Sequence, residues 1–273
     1  MKEFYSYRCS ELGSVKKLSL IKEKTKKLKE NQIKLVTYAI GINFIDILMI
    51  NGKYQHKNKL PFIPGIEACG KIIEENCNKP QMLGKKAIII KKNGCFSEQI
   101  IAEKDEIIII NKKVNTLSAA GYFIPFITSY ISLVEIGKVK KGNKLLISGA
   151  SGGIGTCAVM LAKSMGLKVI SIVKNIDKGE FVKKLGSDKY IVINKKIKST
   201  VLSLNKNELV DVIMDVNGLQ KKYNLLSCLA WGGKYLIIGF MNNNITSLAT
   251  NYLLIKGLRV FGIRAGYYLK KYE

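Results

Sequence analysis

The stretch LLISGASGGIGTCAVMLAK, from Leu145 to Lys163, decides the fold that this sequence predicts. A short apolar run leads into a glycine-rich turn, and the residues after the turn have the apolar spacing of an amphipathic helix. The glycines of the turn are Gly149, Gly152, Gly153 and Gly155. A strand, a glycine-rich turn and a helix form the first unit of a dinucleotide-binding domain, in which a pyrophosphate binds at the amino terminus of the helix.

Each glycine has a predicted role in such a turn. A side chain at Gly152 or Gly153 would obstruct the phosphates, and Gly155 allows the helix to pack close to the strand. A purely structural turn would also use glycine. The preceding strand, the following helix and the series of elements that continues from them favour the nucleotide site.

Strands and helices alternate after this turn, which predicts an α/β domain with a doubly wound parallel sheet covered on both faces. The predicted helices are 154–165, 178–185, 220–229 and 252–256, and the predicted strands are 144–150, 168–173, 190–193, 211–215, 233–240 and 258–263. The chain before Thr116 contains several short β runs with turn residues between them, namely 32–42, 65–73, 85–90, 96–102 and 106–111. These runs predict a compact barrel-like domain.

The composition limits the class of protein. There are 45 Lys and Arg against 20 Asp and Glu, which gives a net charge of +25. The lysines are spread along the whole chain without an aromatic-rich basic motif, so a nucleic-acid surface is possible but not favoured. Six scattered cysteines without a Cys-x-x-Cys pair indicate a reducing compartment. The apolar region 119–134 is interrupted by Pro125 and hydroxyl side chains, so we expect a cytoplasmic protein without a membrane span.

The end of the strand 168–173 predicts the cofactor. NAD-specific domains place an acidic residue there to hold the ribose hydroxyls. This chain has Lys174, Asn175 and Lys178 instead, and the nearest acid, Asp177, lies one step into the next helix. The two lysines would attract a 2′-phosphate, which favours NADPH. The alternative is that both lysines are only solvated.

Several longer motifs carry a resemblance to a known family. They are GINFIDILMINGKY (41–54), LPFIPGIEACGKI (60–72), LAWGGKYLIIGF (229–240) and NYLLIKGLRVFGIRAG (251–266). With them the chain resembles the zinc-independent quinone oxidoreductases, the ζ-crystallin-like branch of the medium-chain dehydrogenase/reductase superfamily. The resemblance implies a GroES-like catalytic domain at 1–123 and a Rossmann NADP-binding domain at 124–266. It also implies that 267–273 begin a return to the catalytic domain, so that the chain is C-terminally truncated.

The resemblance also implies the chemistry of the site. Zinc-dependent relatives have a cysteine near Asn43 and a histidine at the position of Ile66, so we expect no metal here. The implied catalytic residues are Asn43 as a donor to a carbonyl oxygen, Asp46 as an orienting group, and Tyr54 as a donor or stacking partner. Tyr54 would also contact the cofactor. The alternative for this segment is a short capped helix, with Asn43 as the cap and Tyr54 in packing.

The cofactor side is implied in the same way. The residues are Thr128, Ser151, Gly152, Gly153, Ile154, Lys174, Lys178, Gly239, Phe240, Phe261, Gly262 and Ile263, of which Lys174 follows from the strand end alone. Core packing is the alternative for Phe240 and Phe261. His56, the only histidine, is interpreted as a solvated loop residue.

Three functions remain open from the sequence. The first is NADPH-dependent reduction of a quinone or similar activated carbonyl, without metal and in a homodimer. The second is reduction of an enone or enoyl thioester on the same fold. The third is a non-catalytic basic protein that binds nucleotide or RNA, or an inactive fragment.

Overall fold

The structure is a computed structural model that describes residues 3–78, 81–241, 245 and 247–272. The chain forms two compact units, Met1–Ile124 and Pro125–Glu273. Each is described by itself below. Among the described residues, no helix combines the length and the apolar character that a membrane crossing requires.

The first unit contains an antiparallel pair of strands and a five-stranded antiparallel sheet. The pair is β1 (Glu3–Cys9) and β2 (Leu18–Lys24). The sheet has the order β6-β3-β4-β5-β7, with β3 (Gln32–Gly41), β4 (Glu67–Asn76), β5 (Lys86–Ile90), β6 (Gln99–Glu103) and β7 (Ile107–Ile109). The helices are α1 (Phe44–Ile50) and α2 (Thr116–Ala120). All five predicted β runs are strands of the sheet, whereas the β1–β2 pair was not predicted.

The sheet of the first unit encloses an apolar core of small and β-branched side chains. Ile33 and Leu35 of β3 meet Ile72 of β4 and Ile89 of β5, and all four are buried. Branched side chains fit the pleated surface of a strand, which is why these isoleucine-rich runs form strands rather than helices.

The second unit is built on a six-stranded parallel sheet with the order β10-β9-β8-β11-β12-β13. The strands are β8 (Lys144–Ser148), β9 (Lys168–Val173), β10 (Lys189–Val192), β11 (Val210–Asp215), β12 (Leu229–Ile237) and β13 (Arg259–Gly262). Because every strand is parallel, all six carboxyl ends lie at one edge. The strand order reverses between β8 and β11, and ligands of such sheets bind outside the carboxyl ends at that point.

The helices that accompany this sheet follow the predicted alternation. They are α3 (Phe123–Tyr130), which continues into a π-helical turn (Ile131–Ile136), α4 (Gly153–Ser164), α5 (Ile176–Lys184), α6 (Ile197–Leu204), α7 (Gln220–Tyr223), α8 (Thr250–Lys256) and α9 (Ala265–Lys271). Two apolar clusters are buried in the unit, one that includes α4 and one that includes α6. The sheet is therefore covered by helices, as predicted.

Several predictions about this unit need correction. Helix α6 was not predicted from the sequence. The helix predicted at 220–229 ends at Tyr223, because Asn224 takes the left-handed conformation at φ 45°. The strand predicted to reach Phe240 ends at Ile237, so Gly239 and Phe240 lie in the loop that follows β12. Helix α9 contacts the π-helical turn of its own unit through Tyr268, and the expected return of 267–273 to the catalytic domain stays a prediction.

Candidate active site

The glycine turn joins β8 to α4 in very little space. Gly149 has φ +64°, and a Cβ built on it would lie 2.6 Å from the side-chain oxygen of Asn217. A Cβ on Gly155 would lie 2.2 Å from the Gly149 carbonyl oxygen. The helix can therefore approach the turn only without a side chain at 155, which confirms the packing role predicted for Gly155.

Gly152 and Gly153 are different, because the protein around them leaves room for a side chain. A Cβ on Gly152 would lie 3.4 Å from the nearest atom and one on Gly153 would lie 3.5 Å from Pro125, both ordinary contacts. Both residues are exposed at the start of α4. The first N–H groups of a helix have no partner within it, and the helix dipole favours negative charge at this end. The start of α4 therefore fits a pyrophosphate group.

A hydroxyl group from α3 fixes the start of α4. The Oγ of Ser129 lies within hydrogen-bond distance of the carbonyl oxygens of Pro125 (2.8 Å) and Ile154 (2.9 Å). Its neighbour Thr128 was predicted to contact the cofactor, but only 8% of its surface is exposed. Little of the Thr128 side chain is therefore open to a ligand.

The end of β9 presents two exposed lysines. Lys174 follows the strand directly, and Lys178 lies in the first turn of α5. The side chain of Asn175 caps this helix by accepting the Lys178 N–H at 3.0 Å. Because β9 pairs with β8, both lysines lie beside the strand that leads into the glycine turn. This position suits the prediction that the two lysines bind a 2′-phosphate. Because both side chains are exposed, the alternative that they are only solvated stays open.

A buried carboxylate at the ends of β8 and β11 was missed by the sequence reasoning. Asp215 is 1% exposed and accepts hydrogen bonds from the hydroxyls of Ser148 and Tyr235. It also accepts the N–H groups of Gly218 (3.0 Å) and Gln220 (3.3 Å). Burial and the Asp215 charge hold the pKa of Tyr235 far above its usual range. The sequence signal was a polar residue at the end of each of two apolar strands.

This network orders the loops at the carboxyl edge. The Oγ of Ser148 accepts the N–H groups of Val216 (3.0 Å) and Asn217 (3.3 Å). The loop after β12 rests on the same segment, since a Cβ on Gly218 would lie 3.0 Å from the ring of Phe240. Gly239 and Phe240 are therefore at the predicted edge, beside a loop that Asp215 and Ser148 position.

The residues predicted on β13 are divided between the core and the surface. Phe261 packs partly against the apolar core, and Ile263 is 9% exposed. The backbone N–H of Ile263 donates to the Ile237 carbonyl at 2.9 Å and is already used. Gly262 is exposed, and no atom lies within 4 Å of the position that a Cβ on it would take. Among the three residues predicted here, Gly262 is therefore the one whose backbone a ligand could approach.

In the first unit, Asn43 and Asp46 come together with a third residue that was not predicted, Glu67. The Nδ2 of Asn43 donates to Oε1 of Glu67 at 2.7 Å, and its backbone N–H donates to Oδ2 of Asp46 at 2.8 Å. The backbone N–H of Ile124 donates to the other Glu67 oxygen at 3.0 Å. Asp46 and Glu67 are both fully buried. Asn43 is the N-cap of α1 in a capping box with Asp46, as the capped-helix alternative requires, and its Nδ2 also bonds to Glu67 of β4.

Burial changes the titration of both carboxyls. It raises the pKa of Asp46 to about 7, and the Glu67 charge contributes in the same direction, against the hydrogen bond from the Asn43 backbone. Burial also raises the pKa of Glu67, while its bond from the Asn43 side chain opposes this. A carboxyl group that titrates near neutrality is typical of functional sites, although structural networks produce it too.

Tyr54 and His56 occupy the loop after α1. Tyr54 is partly buried and packs against the apolar cluster of Met49, Ile50 and Phe62. The packing predicted as its alternative role is therefore present, and part of the ring remains accessible. His56 is exposed, in agreement with its interpretation as a solvated loop residue.

The position of the expected histidine ligand is apolar. Ile66 is 6% exposed and belongs to the same cluster as Met49 and Phe62. Within the described ranges, no three His, Cys, Asp or Glu side chains are grouped so that they could hold a metal ion. Asn43 and Ile66 supply neither a thiolate nor an imidazole, the ligands that tetrahedral zinc prefers.

Comparison with known proteins identifies the family. The sequence model of zinc-binding dehydrogenases matches residues 153–273, and that of the alcohol dehydrogenase GroES-like domain matches residues 29–112. The quinone oxidoreductase-like protein 2 homolog of Nematostella vectensis is 30% identical over 276 residues, which cover 98% of this chain and 74% of that protein. The chain belongs to the medium-chain dehydrogenase/reductase superfamily.

Two further proteins are similar to this medium-chain dehydrogenase/reductase. Prostaglandin reductase-3 of Bos taurus is 30% identical over 208 residues, covering 74% of this chain and 54% of that protein. The quinone oxidoreductase of Thermus thermophilus, whose structures include an NADPH complex, superposes with a TM-score of 0.84 at 23% identity, over 98% of this chain and 82% of that one. The predicted fold class, a GroES-like domain followed by a Rossmann domain, is confirmed.

Proposed function

We propose that this medium-chain dehydrogenase/reductase uses NADPH to reduce a quinone or a similar activated carbonyl compound, without a metal ion. The observation that carries the proposal is the carboxyl edge of the parallel sheet. There the open start of α4 and two exposed lysines, Lys174 and Lys178, follow adjacent strands. The edge has the phosphate-binding geometry of a dinucleotide site and lacks an acid at the end of β9.

The residues at this edge fit NADPH. Ser151, Gly152, Gly153 and Ile154 would hold the pyrophosphate at the start of α4, and Lys174 and Lys178 would hold the 2′-phosphate. Gly239, Phe240, Phe261, Gly262 and Ile263 would border the nicotinamide half, with Thr128 contributing at most a small surface. The bound cofactor would supply the hydride.

Asn43 would supply the group that stabilises the acceptor. One N–H of the Asn43 amide is bonded to Glu67, and the second would donate to a carbonyl oxygen that gains negative charge. Asp46 orients the Asn43 backbone through the bond at 2.8 Å. The accessible part of Tyr54 would donate a hydrogen bond or stack on a flat acceptor. Quinones and enones need little acid–base help, because the cofactor carries the reaction.

The absence of zinc is part of the proposal. Ile66 is buried among apolar side chains, and Asn43 is already bonded to two carboxyl groups. Neither residue can polarise an alcohol through a metal, so the proposal does not include alcohol oxidation.

Reduction of an enone or enoyl thioester is the second candidate. The similarity to prostaglandin reductase-3 favours it, and the same Asn43 donor would serve an enone oxygen.

We also propose a homodimer. The strand β13 ends the sheet order and is paired on one side only, with β12. Open strand edges pair readily with another chain. Leu254 and Ile255 of α8 add exposed apolar surface in the same unit, at 82% and 66% exposure.

One panel of assays tests the function. Oxidation of NADPH is followed with a series of quinones, enals and enoyl thioesters, and salt-dependent RNA binding is measured in parallel. Turnover with quinones supports the first candidate, and turnover with enals or thioesters alone supports the second. RNA binding without any turnover would overturn both and support the basic-binding-protein alternative.

A further inference from the structure

The buried carboxyl pair beside Asn43 has no counter-ion. Within the described part of the chain, neither Asp46 nor Glu67 forms an ion pair with a lysine or arginine. Two ionised carboxylates without a cation are unfavourable in a buried site, because each charge is desolvated and each repels the other. A chain that needed only a capped helix at this place would not require the second carboxyl.

The two carboxyl groups differ in the number of hydrogen bonds that they accept. Both oxygens of Glu67 accept an N–H group, one from Asn43 and one from Ile124, so Glu67 is arranged as a carboxylate. Asp46 accepts the Asn43 N–H at Oδ2 only. The backbone amides of Gly65 and Ile66 face this carboxyl, yet Oδ1 makes no hydrogen bond of good geometry. Oδ1 of Asp46 is therefore the buried carboxyl oxygen of the pair that lacks a hydrogen-bond partner among the described residues.

The surroundings of Glu67 are built to hold its carboxylate in one place. A Cβ on Gly41 would lie 2.6 Å from Cγ and 2.7 Å from Oε1 of Glu67, so only glycine leaves room for that carboxylate beside β3. The register places Gly41 opposite Glu67 in the β3–β4 pair. The carboxylate is thus fixed by a strand partner and by two donors.

We propose that Glu67 is the positioning residue for Asn43 and that, together with Asp46, it sets the charge beside the Asn43 amide. Its carboxylate accepts one N–H of that amide and thereby directs the second N–H to the acceptor oxygen. With a proton on Asp46 the pair carries one negative charge, and without it the pair carries two. This inference rests on the proposed function, because it assigns the pair a part in the same reaction.

The charge of the pair predicts a pH dependence. Burial and the Glu67 charge raise the pKa of Asp46 to about 7, so Asp46 is protonated below neutrality and ionised above it. Cys95 is an ionisable side chain that interacts with both carboxyls. Burial holds the pKa of its thiol far above the usual range, so Cys95 remains neutral. Lys91 and Glu106 also interact with that thiol, and they pair with each other.

Ionisation of Asp46 opposes the negative charge that develops on the acceptor oxygen. A second unit charge near that oxygen, at an effective dielectric constant of about 20, slows hydride transfer roughly tenfold to a hundredfold. The rate of hydride transfer should therefore fall as the pH rises through about 7. Glu67→Gln removes one charge, so the midpoint of this fall should move to lower pH.

Nuclear magnetic resonance of the side-chain amides tests the inference without turnover. In the wild type, the Asn43 amide signals should shift with pH with a midpoint of about 7. Asp46→Asn, which has the shape of protonated aspartic acid, should abolish that titration. Glu67→Gln should shift the signals, because glutamine can accept only one of the two N–H groups. It should also lower the midpoint, because it removes one charge of the pair. Asp105→Asn, at an exposed carboxylate of the same unit, is the control and should behave as wild type.

The outcomes separate this inference from the proposed function. Asn43 signals that do not titrate, or a Glu67→Gln variant with an unchanged midpoint, would overturn the inference. If Glu67→Gln does not fold, the isosteric Asp46→Asn variant decides by losing or keeping the titration. Single-turnover kinetics on the best acceptor should then show the same midpoints. If no acceptor oxidises NADPH, the proposed function fails, and the amide titration still decides whether the pair controls Asn43.

Discussion

Replacement of Asp215 by Asn should disorder the cofactor edge of the second unit. Asp215 receives four donors, of which the N–H groups of Gly218 and Gln220 belong to the backbone and cannot reverse. An asparagine offers one oxygen and one NH₂ group, so one backbone N–H must face another donor. The hydroxyls of Ser148 and Tyr235 can rotate to adapt, but the backbone group cannot.

The expected loss in the free energy of unfolding follows from the number of donors that lose their acceptor. An unsatisfied buried N–H costs about 1–3 kcal/mol, and the remaining bonds lose the strength that an ionised acceptor gives them, about 1 kcal/mol in total. We expect a loss of about 3 kcal/mol in the free energy of unfolding of this unit, or roughly 6–12 °C in Tm. The loop 216–218 would move with it, and NADPH affinity should fall at least about tenfold.

Thermal unfolding followed by circular dichroism and NADPH fluorescence titration measure the two effects. The matched control is Asp211→Asn on the same strand, where a partly exposed carboxylate accepts the Lys144 N–H at 2.7 Å. The control should lose less than about 1 kcal/mol and keep its NADPH affinity. An Asp215→Asn variant with wild-type Tm and wild-type affinity would refute the view that this carboxylate holds the edge together.

Three further predictions concern the cofactor and the metal. The wild type should bind NADPH about tenfold to a hundredfold more tightly than NADH, and Lys174→Ala with Lys178→Ala should remove the difference; equal wild-type affinities in a fluorescence titration would contradict this. Gly155→Ala should lower Tm and abolish dinucleotide binding, since its Cβ would lie 2.2 Å from a carbonyl oxygen of the turn. Gly266→Ala, with open space around its Cβ, is the control that should be neutral or slightly stabilising. Because Ile66 stands where a zinc ligand is expected, chelators should leave turnover unchanged, and stoichiometric zinc in the purified protein would disprove the metal-free proposal.

The sequence by itself determined the fold class and predicted where a cofactor would bind. The alternation of strands and helices favours a parallel sheet with helices over it, and the glycines after β8 predict which turn would receive the phosphates. The packing role of Gly155 could also be predicted in advance, and the phosphate contact of Gly152 stays a prediction. These properties are local, since each depends on residues that are close along the chain.

The tertiary structure decided the groups that position the site. Asp215 meets Ser148 across 67 residues of sequence because β11 and β8 are neighbours in the sheet. Glu67 meets Asn43 across 24 residues because β4 pairs with β3, and no local pattern shows that pairing. The near-neutral titration of Asp46 has the same origin: its pKa depends on burial and on a second carboxyl, and both exist only once the strands have come together.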